Sequence, residues 1–244
     1  KFNTWVRLER LGRVRFVAAG HILGAAIVEI EIEDGDDCRH LTFSGDLGVE
    51  GSRLLSRPAR VEAPEVLLME STYGDREREE EGDRTEALFR IVRDTVARGG
   101  KVVIPSFAVG RTQEILARLN DLVESGRLSG VPVFVDSPMA VEATAVFTRF
   151  PDAYSKDARR KYCSGDAPLA FDGLRLVTKV AESKAINSSR MPSVIISASG
   201  MCTAGRVKHH LKNEISNSRS TSPCVRNSIS SPATTTVRPS SWSS

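Results

Sequence analysis

The sequence has few of the features that mark membrane, secreted or zinc-finger proteins. No apolar run in its 244 residues approaches the roughly 20 residues needed to cross a bilayer. The N-terminal KFNTWVRLER lacks the apolar centre of a signal peptide. The four cysteines form no C-x-x-C pair, which argues against a disulfide framework or a structural zinc site. We therefore predict a soluble, cytoplasmic protein with free thiols and no membrane contact.

Neither positive nor negative charge is in large excess. The net charge is only +3, and the acids and bases are interspersed, so the composition permits a polyanionic partner without arguing for one. Hydrophobic residues make up 40% of the chain, which is enough for one large or two modest globular domains.

Three strands with little helix between them are predicted in the first part of the chain. AAIVEIEIE alternates with the period of a half-buried strand, placing Ile27 and Glu29 on one face and Val28 and Ile30 on the other. RHLTFSGD and EVLLMEST read as two further strands that end in small and acidic residues. This pattern indicates a sheet layer of a β-sandwich.

The pattern changes to alternating strands and helices after Tyr73. Asp83 and Glu86 resemble a capping box at the start of a helix. Further helices are predicted from Ile115 and over about 139–150, and they alternate with the strand segments KVVIPS, VPVFVDSP, LRLVTKV and SVIISASGM. Repeated strand–helix–strand units predict a parallel sheet covered on both faces. We place the domain change within 75–85.

The last segment has a different composition. About a third of ISNSRSTSPCVRNSISSPATTTVRPSSWSS is serine, and such a segment cannot bury enough apolar surface to offset the entropy of ordering it. We predict that residues 213–244 are disordered. A shifted reading frame in the source nucleotide sequence and a natural Ser/Thr-rich tail both account for this segment.

Three side chains suited to metal chemistry end predicted strands. His21 lies in the bend GHILG, Asp46 in FSGD and Glu70 in MEST, and the ends of neighbouring strands lie close together. Histidine and carboxylate are the ligands of hydrolytic zinc sites. Spacing alone favours the plainer interpretation that these residues are a turn histidine, a turn aspartate and a capping glutamate.

Seven segments in order resemble a known family. They are GHILGAA, FSGDLG, MESTYGDR, VVIPSFAVGRTQEIL, VFVDSPMA, ESKAIN and SASGMCTAGRVKHHL. Together they resemble the metallo-β-lactamase-fold nucleases of the β-CASP family, RNA-processing zinc hydrolases, over roughly residues 10 to 212. The fold that this resemblance implies is α/β: a partial metallo-β-lactamase αββα sandwich over 1–80, followed by an inserted β-CASP domain of alternating strands and helices over 81–212.

The resemblance implies a role for each of the three strand-end residues. His21 corresponds to a histidine ligand of zinc, and Asp46 to the aspartate that bridges two zinc ions and is catalytic. Glu70 corresponds to the acidic catalytic-site residue that holds a zinc-bound histidine through a hydrogen bond. On this basis the complete parent protein would carry two zinc ions.

The β-CASP segments imply contacts to RNA phosphate. SASGMCTAGR is a strand that runs into a Gly/Ser loop at a helix start, a geometry that offers backbone N–H groups to phosphate. Ser199, Gly200 and Arg206 are candidates there, and Ser106 and Arg111 flank a similar turn. Helix capping is an equally good interpretation of Ser106.

His209 and His210 are adjacent on a helix, so their side chains point about 100° apart. We interpret both as helix-surface or packing residues and not as metal ligands.

Two departures from the family pattern bear on activity. The family's first ligand cluster, His-x-His-x-Asp-His, is absent, and its place would be upstream of Lys1. The later histidine motifs should follow VKHHL, where the serine-rich segment stands instead. We therefore expect a middle fragment that retains two of seven metal ligands and lacks nuclease activity by itself.

The resemblance predicts a zinc-dependent ribonuclease as the complete parent, with RNA as partner and a homodimer left open. A non-catalytic RNA-binding or scaffold subunit is the alternative. A small-ester hydrolase of the same sandwich fold is disfavoured because it would not need the β-CASP insertion.

Overall fold

The computed structural model describes residues 2–9, 12–35, 37–62, 64–75 and 83–223. These residues form nine strands and six helices. The strands are β1 (Val6–Leu8), β2 (Gly12–Ala18), β3 (Ala26–Asp34), β4 (Asp37–Phe43), β5 (Val66–Leu68), β6 (Lys101–Pro105), β7 (Val133–Asp136), β8 (Leu174–Val177) and β9 (Ser193–Ser197). The helices are α1 (Arg84–Ala97), α2 (Arg111–Glu124), α3 (Pro138–Arg149), α4 (Lys156–Cys163), α5 (Val180–Ser188) and α6 (Val207–Glu214).

The described part of the chain divides into two compact units. Residues up to 75 together with Phe147–Pro168 form the first unit, and residues 83–146 with 169–223 form the second. The chain passes from the first unit to the second between 75 and 83. The sequence did not indicate that Phe147–Pro168 belongs with the first unit.

The first unit is built on a five-stranded sheet in the order β1-β2-β3-β4-β5. Strands β1 to β4 pair antiparallel, and β5 pairs parallel with β4. The strand predicted from AAIVEIEIE is β3, and the two that follow it are β4 and β5. Strands β1 and β2 had not been predicted, because their arginines interrupt the apolar pattern.

Glu29 and Glu31 of β3 are buried under arginines from β2. Cross-strand neighbours are Arg15 with Glu29 and Arg13 with Glu31, and each pair is hydrogen-bonded. The guanidinium groups also lie over the ring of Trp5. Charged side chains can be buried in this way because each carboxylate has a directly opposed cation.

The Phe147–Pro168 segment is hydrogen-bonded to the loop before β5. Leu55 and Tyr154 form an isolated β-bridge, and the Ser56 hydroxyl donates to the Tyr154 carbonyl at 2.7 Å. The Tyr154 hydroxyl in turn donates to the Phe147 carbonyl. Burial raises the pKa of Tyr154 to about 12.

The second unit contains a parallel sheet in the order β6-β9-β7-β8. All residues of β6 and β9 are buried, as expected for parallel strands covered by helices on both faces. The predicted α/β fold with a parallel sheet is therefore confirmed. Helices α4 and α5 had not been predicted.

The end of the described chain adds to the edge of this sheet. Thr221 N–H donates to the Lys101 carbonyl at 2.9 Å, and Val103 N–H donates to the Thr221 carbonyl at 3.0 Å. The Glu214 carboxylate accepts from Lys101 Nζ at 2.8 Å. Hydrogen bonds thus hold Glu214, Asn217 and residues 220–222, which lie within the segment predicted to be disordered from 213 onward. The rest of it, 224–244, lies outside the described residues.

No helix in the described ranges combines the length and apolar character needed to cross a membrane.

Candidate functional site

The bend GHILG places His21 against the loop that contains Asp46. Gly20 and Gly24 have positive φ values of 69° and 90°, which glycine adopts without steric cost. A Cβ on Gly48 would lie 2.0 Å from the carbonyl oxygen of Gly20 and 2.8 Å from the backbone nitrogen of His21. Only glycine at 48 permits this approach.

Glu70 holds the same loop from β5. Its Oε1 accepts the N–H of Leu47 at 2.7 Å, and its Oε2 accepts the Thr72 hydroxyl at 2.7 Å. The Leu47 hydrogen bond, followed by the Thr72 bond, lowers the pKa of Glu70, and the nearby His21 adds to the effect. The three residues that the sequence singled out in this unit therefore lie in one neighbourhood.

The donors of this neighbourhood do not make a metal site by themselves. His21 and Asp46 are exposed, and both carboxylate oxygens of Glu70 are hydrogen-bonded within the chain. Among the residues that the structure describes, no group of three or more His, Cys, Asp or Glu side chains could hold a metal ion. A catalytic zinc needs three protein ligands, so this donor set does not fit one.

The second group of candidates lies where the strands of the parallel sheet end. Pro105 of β6 is in register with Ser197 of β9, and Asp136 of β7 with Val177 of β8. The loops after these four strands form what we call the carboxyl edge, the common ligand position in open α/β sheets. Ser106, Arg111, Ser199, Gly200 and Arg206 all lie there.

Ser106 is buried and forms hydrogen bonds within its turn. Its N–H donates to the Ser197 carbonyl at 3.0 Å, and its hydroxyl accepts from Thr112 at 3.1 Å. Thr112 also donates to the Phe107 carbonyl at 2.7 Å. These bonds fix the turn that leads into α2.

Arg111 is the first residue of α2 and is half-buried. Its guanidinium has no hydrogen-bond or ion-pair partner among the described residues. A cation at a helix N-terminus also meets the positive end of the helix dipole. The site therefore presents uncompensated positive charge, which favours an anionic ligand.

The loop after β9 is closed on itself. The N–H and the hydroxyl of Ser199 both donate to the Ala204 carbonyl, at 3.2 and 3.3 Å, and Val207 N–H donates to the Ala198 carbonyl. A Cβ on Gly205 would lie 2.3 Å from the Ala198 carbonyl oxygen. The loop is thus compact, and Gly205 permits its closure.

A buried polar network lies below this loop and centres on Asp136. Its Oδ1 accepts from Arg206 Nη1 at 2.7 Å, and its Oδ2 lies 2.6 Å from His210 Nε2 and accepts the Ser183 hydroxyl at 2.5 Å. Asn187 Oδ1 lies 2.7 Å from His210 Nδ1. We call these five residues the Asp136 network.

Burial alone would raise the pKa of Asp136. Hydrogen bonds from His210, Ser183 and Arg206 outweigh it and hold the pKa of Asp136 below its ordinary value. The carboxylate is therefore charged and fixes the guanidinium of Arg206, which also donates to the Thr178 carbonyl at 2.6 Å.

The sequence interpretation missed the Asp136 network but contained its signal. His210 follows Arg206 by four residues, the spacing that places two side chains on one helix face, and Asp136 ends a buried strand. His210 is fully buried whereas His209 is exposed. His210 is therefore a packing residue and His209 a helix-surface residue, the two roles that were predicted.

Comparison with known proteins identifies a domain and several relatives. Residues 112–222 match the Beta-Casp domain. The chain is similar to "Ribonuclease TTHA0252" of Thermus thermophilus, with 35% identity over 219 residues, 90% of this chain and 49% of the relative.

Archaeal relatives carry a different name. "Transcription termination factor FttA" of Methanocaldococcus jannaschii is 39% identical over 200 residues, 80% of this chain and 31% of that protein. The protein of the same name from Methanothermobacter thermautotrophicus is 39% identical over 199 residues, 80% of this chain and 30% of that protein. The chain thus spans about half or less of the length of these relatives.

Proposed function

This chain belongs to the β-CASP family of metallo-β-lactamase-fold nucleases, and we propose that it binds RNA at its carboxyl edge as part of an RNA-processing ribonuclease. One observation carries this proposal. Arg111, which has no partner among the described residues, places a cation at the N-terminus of α2, and the turn before this helix lies against Gly200 through Phe107. Phosphate is the group that such an edge accommodates.

The Asp136 network gives this edge its rigidity. Because Asp136 is charged and buried, it holds Arg206 at the start of α6 and thereby the closed loop after β9. A preorganised loop loses little entropy when a phosphate binds. The Arg206 side chain is bonded to Asp136 and is still 20% exposed, so part of it is accessible to a ligand.

An RNA-binding assay with two matched arginine variants tests the proposal. Arg111→Gln should weaken binding of a fluorescein-labelled oligoribonucleotide and reduce the slope of log K against log salt by about 1, since one phosphate contact is lost. Arg190→Gln is the control, because Arg190 is exposed and unpaired among the described residues but precedes β9 at the opposite edge. Equal effects of both variants would contradict the assignment.

We further propose that His21 and Asp46 contribute donors to a two-zinc site that other residues of a longer protein complete. The support is their common position beside Gly48 and Glu70. In such a protein Asp46→Ala should reduce bound zinc, whereas His209→Ala, a change at an exposed histidine of the second unit, should not. Equal zinc loss would contradict the ligand assignment.

The 244-residue chain itself should not cleave RNA. With His21 and Asp46 as its identifiable donors, it cannot fix a metal and orient an attacking water. Incubation of the chain with labelled RNA and zinc or manganese checks this. Cleavage that a chelator and His21→Ala both remove would contradict it.

A non-catalytic RNA-binding subunit is the second candidate function. Several relatives are named as termination factors and not as ribonucleases, and two of these are 39% identical to this chain against 35% for the relative named as a ribonuclease. A longer protein of this kind would bind RNA with the same dependence on Arg111 but leave the RNA intact. Cytoplasmic location and a homodimer also remain proposals; sedimentation measures the second.

A further inference from the structure

A strongly exposed apolar side chain follows each of the four strands at the carboxyl edge. Phe107 and Met201 lie in the loops after β6 and β9, and Met139 and Val180 lie in the first turns of α3 and α5, with exposures of 54, 70, 65 and 61%. Strands β6, β7 and β9 are largely buried. Apolar groups repeated along one edge indicate a binding surface more often than scattered exposure does.

Phe107 is held in place although its ring is exposed. Its carbonyl accepts both the hydroxyl and the N–H of Thr112, at 2.7 and 3.3 Å. Its ring lies against Gly200: a Cβ built there would lie 3.1 Å from Cδ2 and 3.2 Å from Cε2 of the ring. Because residue 200 has no side chain, the ring packs against its backbone, and the remaining surface of the ring faces solvent.

The charges around Phe107 favour a polyanion. Arg111 is unpaired among the described residues and begins the helix that follows Phe107. Three carboxylates near the edge loops are engaged: Glu114 with Arg118, Asp136 with Arg206 and His210, and Glu182 with the backbone N–H of Lys179. An apolar ring beside an uncompensated cation fits a ligand with flat bases and phosphates.

We propose that Phe107 stacks on an unpaired base of single-stranded RNA while Arg111 contacts the adjoining phosphate; this inference rests on the proposed function of the carboxyl edge. Met201, on the loop that contains Gly200, extends the apolar surface beside the ring. Stacking on an aromatic ring tolerates every base because each has a π face. The site therefore selects unpaired strands without selecting sequence.

The test compares four variants at Phe107 in the full 244-residue chain. The ligands are a fluorescein-labelled oligouridylate of about ten nucleotides and a blunt RNA duplex. Phe107→Ala and Phe107→Leu should weaken binding to the single strand roughly five-fold or more. Phe107→Tyr and Phe107→Trp should retain binding to the single strand, because they keep an aromatic face. The affinity for the duplex should differ little among the four variants.

The control is Met191→Ala, which removes an apolar side chain of 53% exposure just before β9, at the opposite edge. It should leave binding unchanged. In the Phe107→Trp variant, oligouridylate should quench the added tryptophan fluorescence. Loss of binding in Phe107→Leu with retention in Phe107→Tyr separates stacking from a packing role, even if Phe107→Ala fails to fold.

Three results would overturn the inference. If the chain binds no RNA, the proposed function fails as well. If Arg111→Gln weakens binding while Phe107→Ala and Phe107→Leu do not, the proposed function stands and the stacking site is wrong. If Phe107→Leu changes the sedimentation of the chain and not its RNA affinity, the surface binds a second copy of the chain.

Discussion

The two units of the molecule place their charged residues in opposite ways. In the first unit the ion pairs lie across the face of the sheet, as in Arg7 with Glu33 and Arg15 with Glu29. In the second unit two buried ion pairs lie instead at opposite ends of the sheet's strands, Asp136 with Arg206 at one end and Lys101 with Glu214 at the other.

This difference distinguishes ion pairs that only stabilise a sheet from ion pairs that also position a ligand-binding loop. Pairs on a sheet face are partly hydrated and contribute little free energy each. Asp136 and His210 are fully buried, so water does not reach them to replace a lost partner, and the network fixes a loop that we assign to ligand binding. The predictions below test whether the two units differ in this way.

The largest effect is expected from Asp136→Ala. Removal of one partner of a buried ionic network leaves Arg206 and His210 uncompensated, which should lower the free energy of unfolding by about 3–5 kcal/mol. Urea denaturation measures this. Asp172→Ala, at an exposed aspartate of the same unit, is the control and should change stability little. A loss for Asp136→Ala as small as that of the control would mean that the network is not structural.

Acid should destabilise the second unit through two buried carboxylates. Burial opposes ionisation of Glu214, but hydrogen bonds from Lys101, Ser220 and Asn217 together outweigh it and lower the pKa of Glu214, as hydrogen bonds lower that of Asp136. Their stabilisation is complete above the ordinary carboxyl pKa and is lost as pH falls through the lowered values, below about pH 4.

Glu214→Gln checks the contribution of one of these carboxylates. Its stability should depend on pH less steeply than that of the unaltered chain when denaturation is measured between pH 7 and 3. Identical slopes would indicate that the Lys101–Glu214 pair does not couple proton binding to folding.

The smallest effect is expected for a cross-strand pair of the first unit. A double-mutant cycle on Arg15 and Glu29 should give a coupling free energy of about 0.5–1 kcal/mol, because Arg15 retains access to water. Added salt should reduce it. Coupling as strong as that in the Asp136 network would remove the distinction between the units.

Periodic segments of the sequence predicted most of the second unit correctly. The runs KVVIPS and SVIISAS are buried strands, and the apolar spacing from Ile115 marks α2. Asp83 caps α1 as expected, through a bond from the Thr85 N–H, but Glu86 pairs with Arg90 and Arg127. Local pattern predicts helices and strands because each must bury one face or both.

The features that escaped prediction depend on pairing across the fold. Arg13 and Arg15 look solvent-exposed until β3 places Glu31 and Glu29 opposite them. The role of Asp136 depends on His210 of α6 lying within hydrogen-bonding distance of the end of β7, although the two residues are far apart in the sequence. Sequence and resemblance thus singled out residues of both candidate sites, but the contacts that fix their loops required the structure.

Photo-crosslinking of RNA to the 244-residue chain tests the central claim most directly. A single-stranded oligonucleotide that contains 5-iodouridine is irradiated with the chain, and the attached peptides are identified by mass spectrometry. We expect the crosslinks within 106–111 and 199–206, with loss of the first set in Phe107→Leu. Crosslinks confined to the first unit, or none at any salt concentration at which RNA binds, would contradict the assignment of RNA to the carboxyl edge.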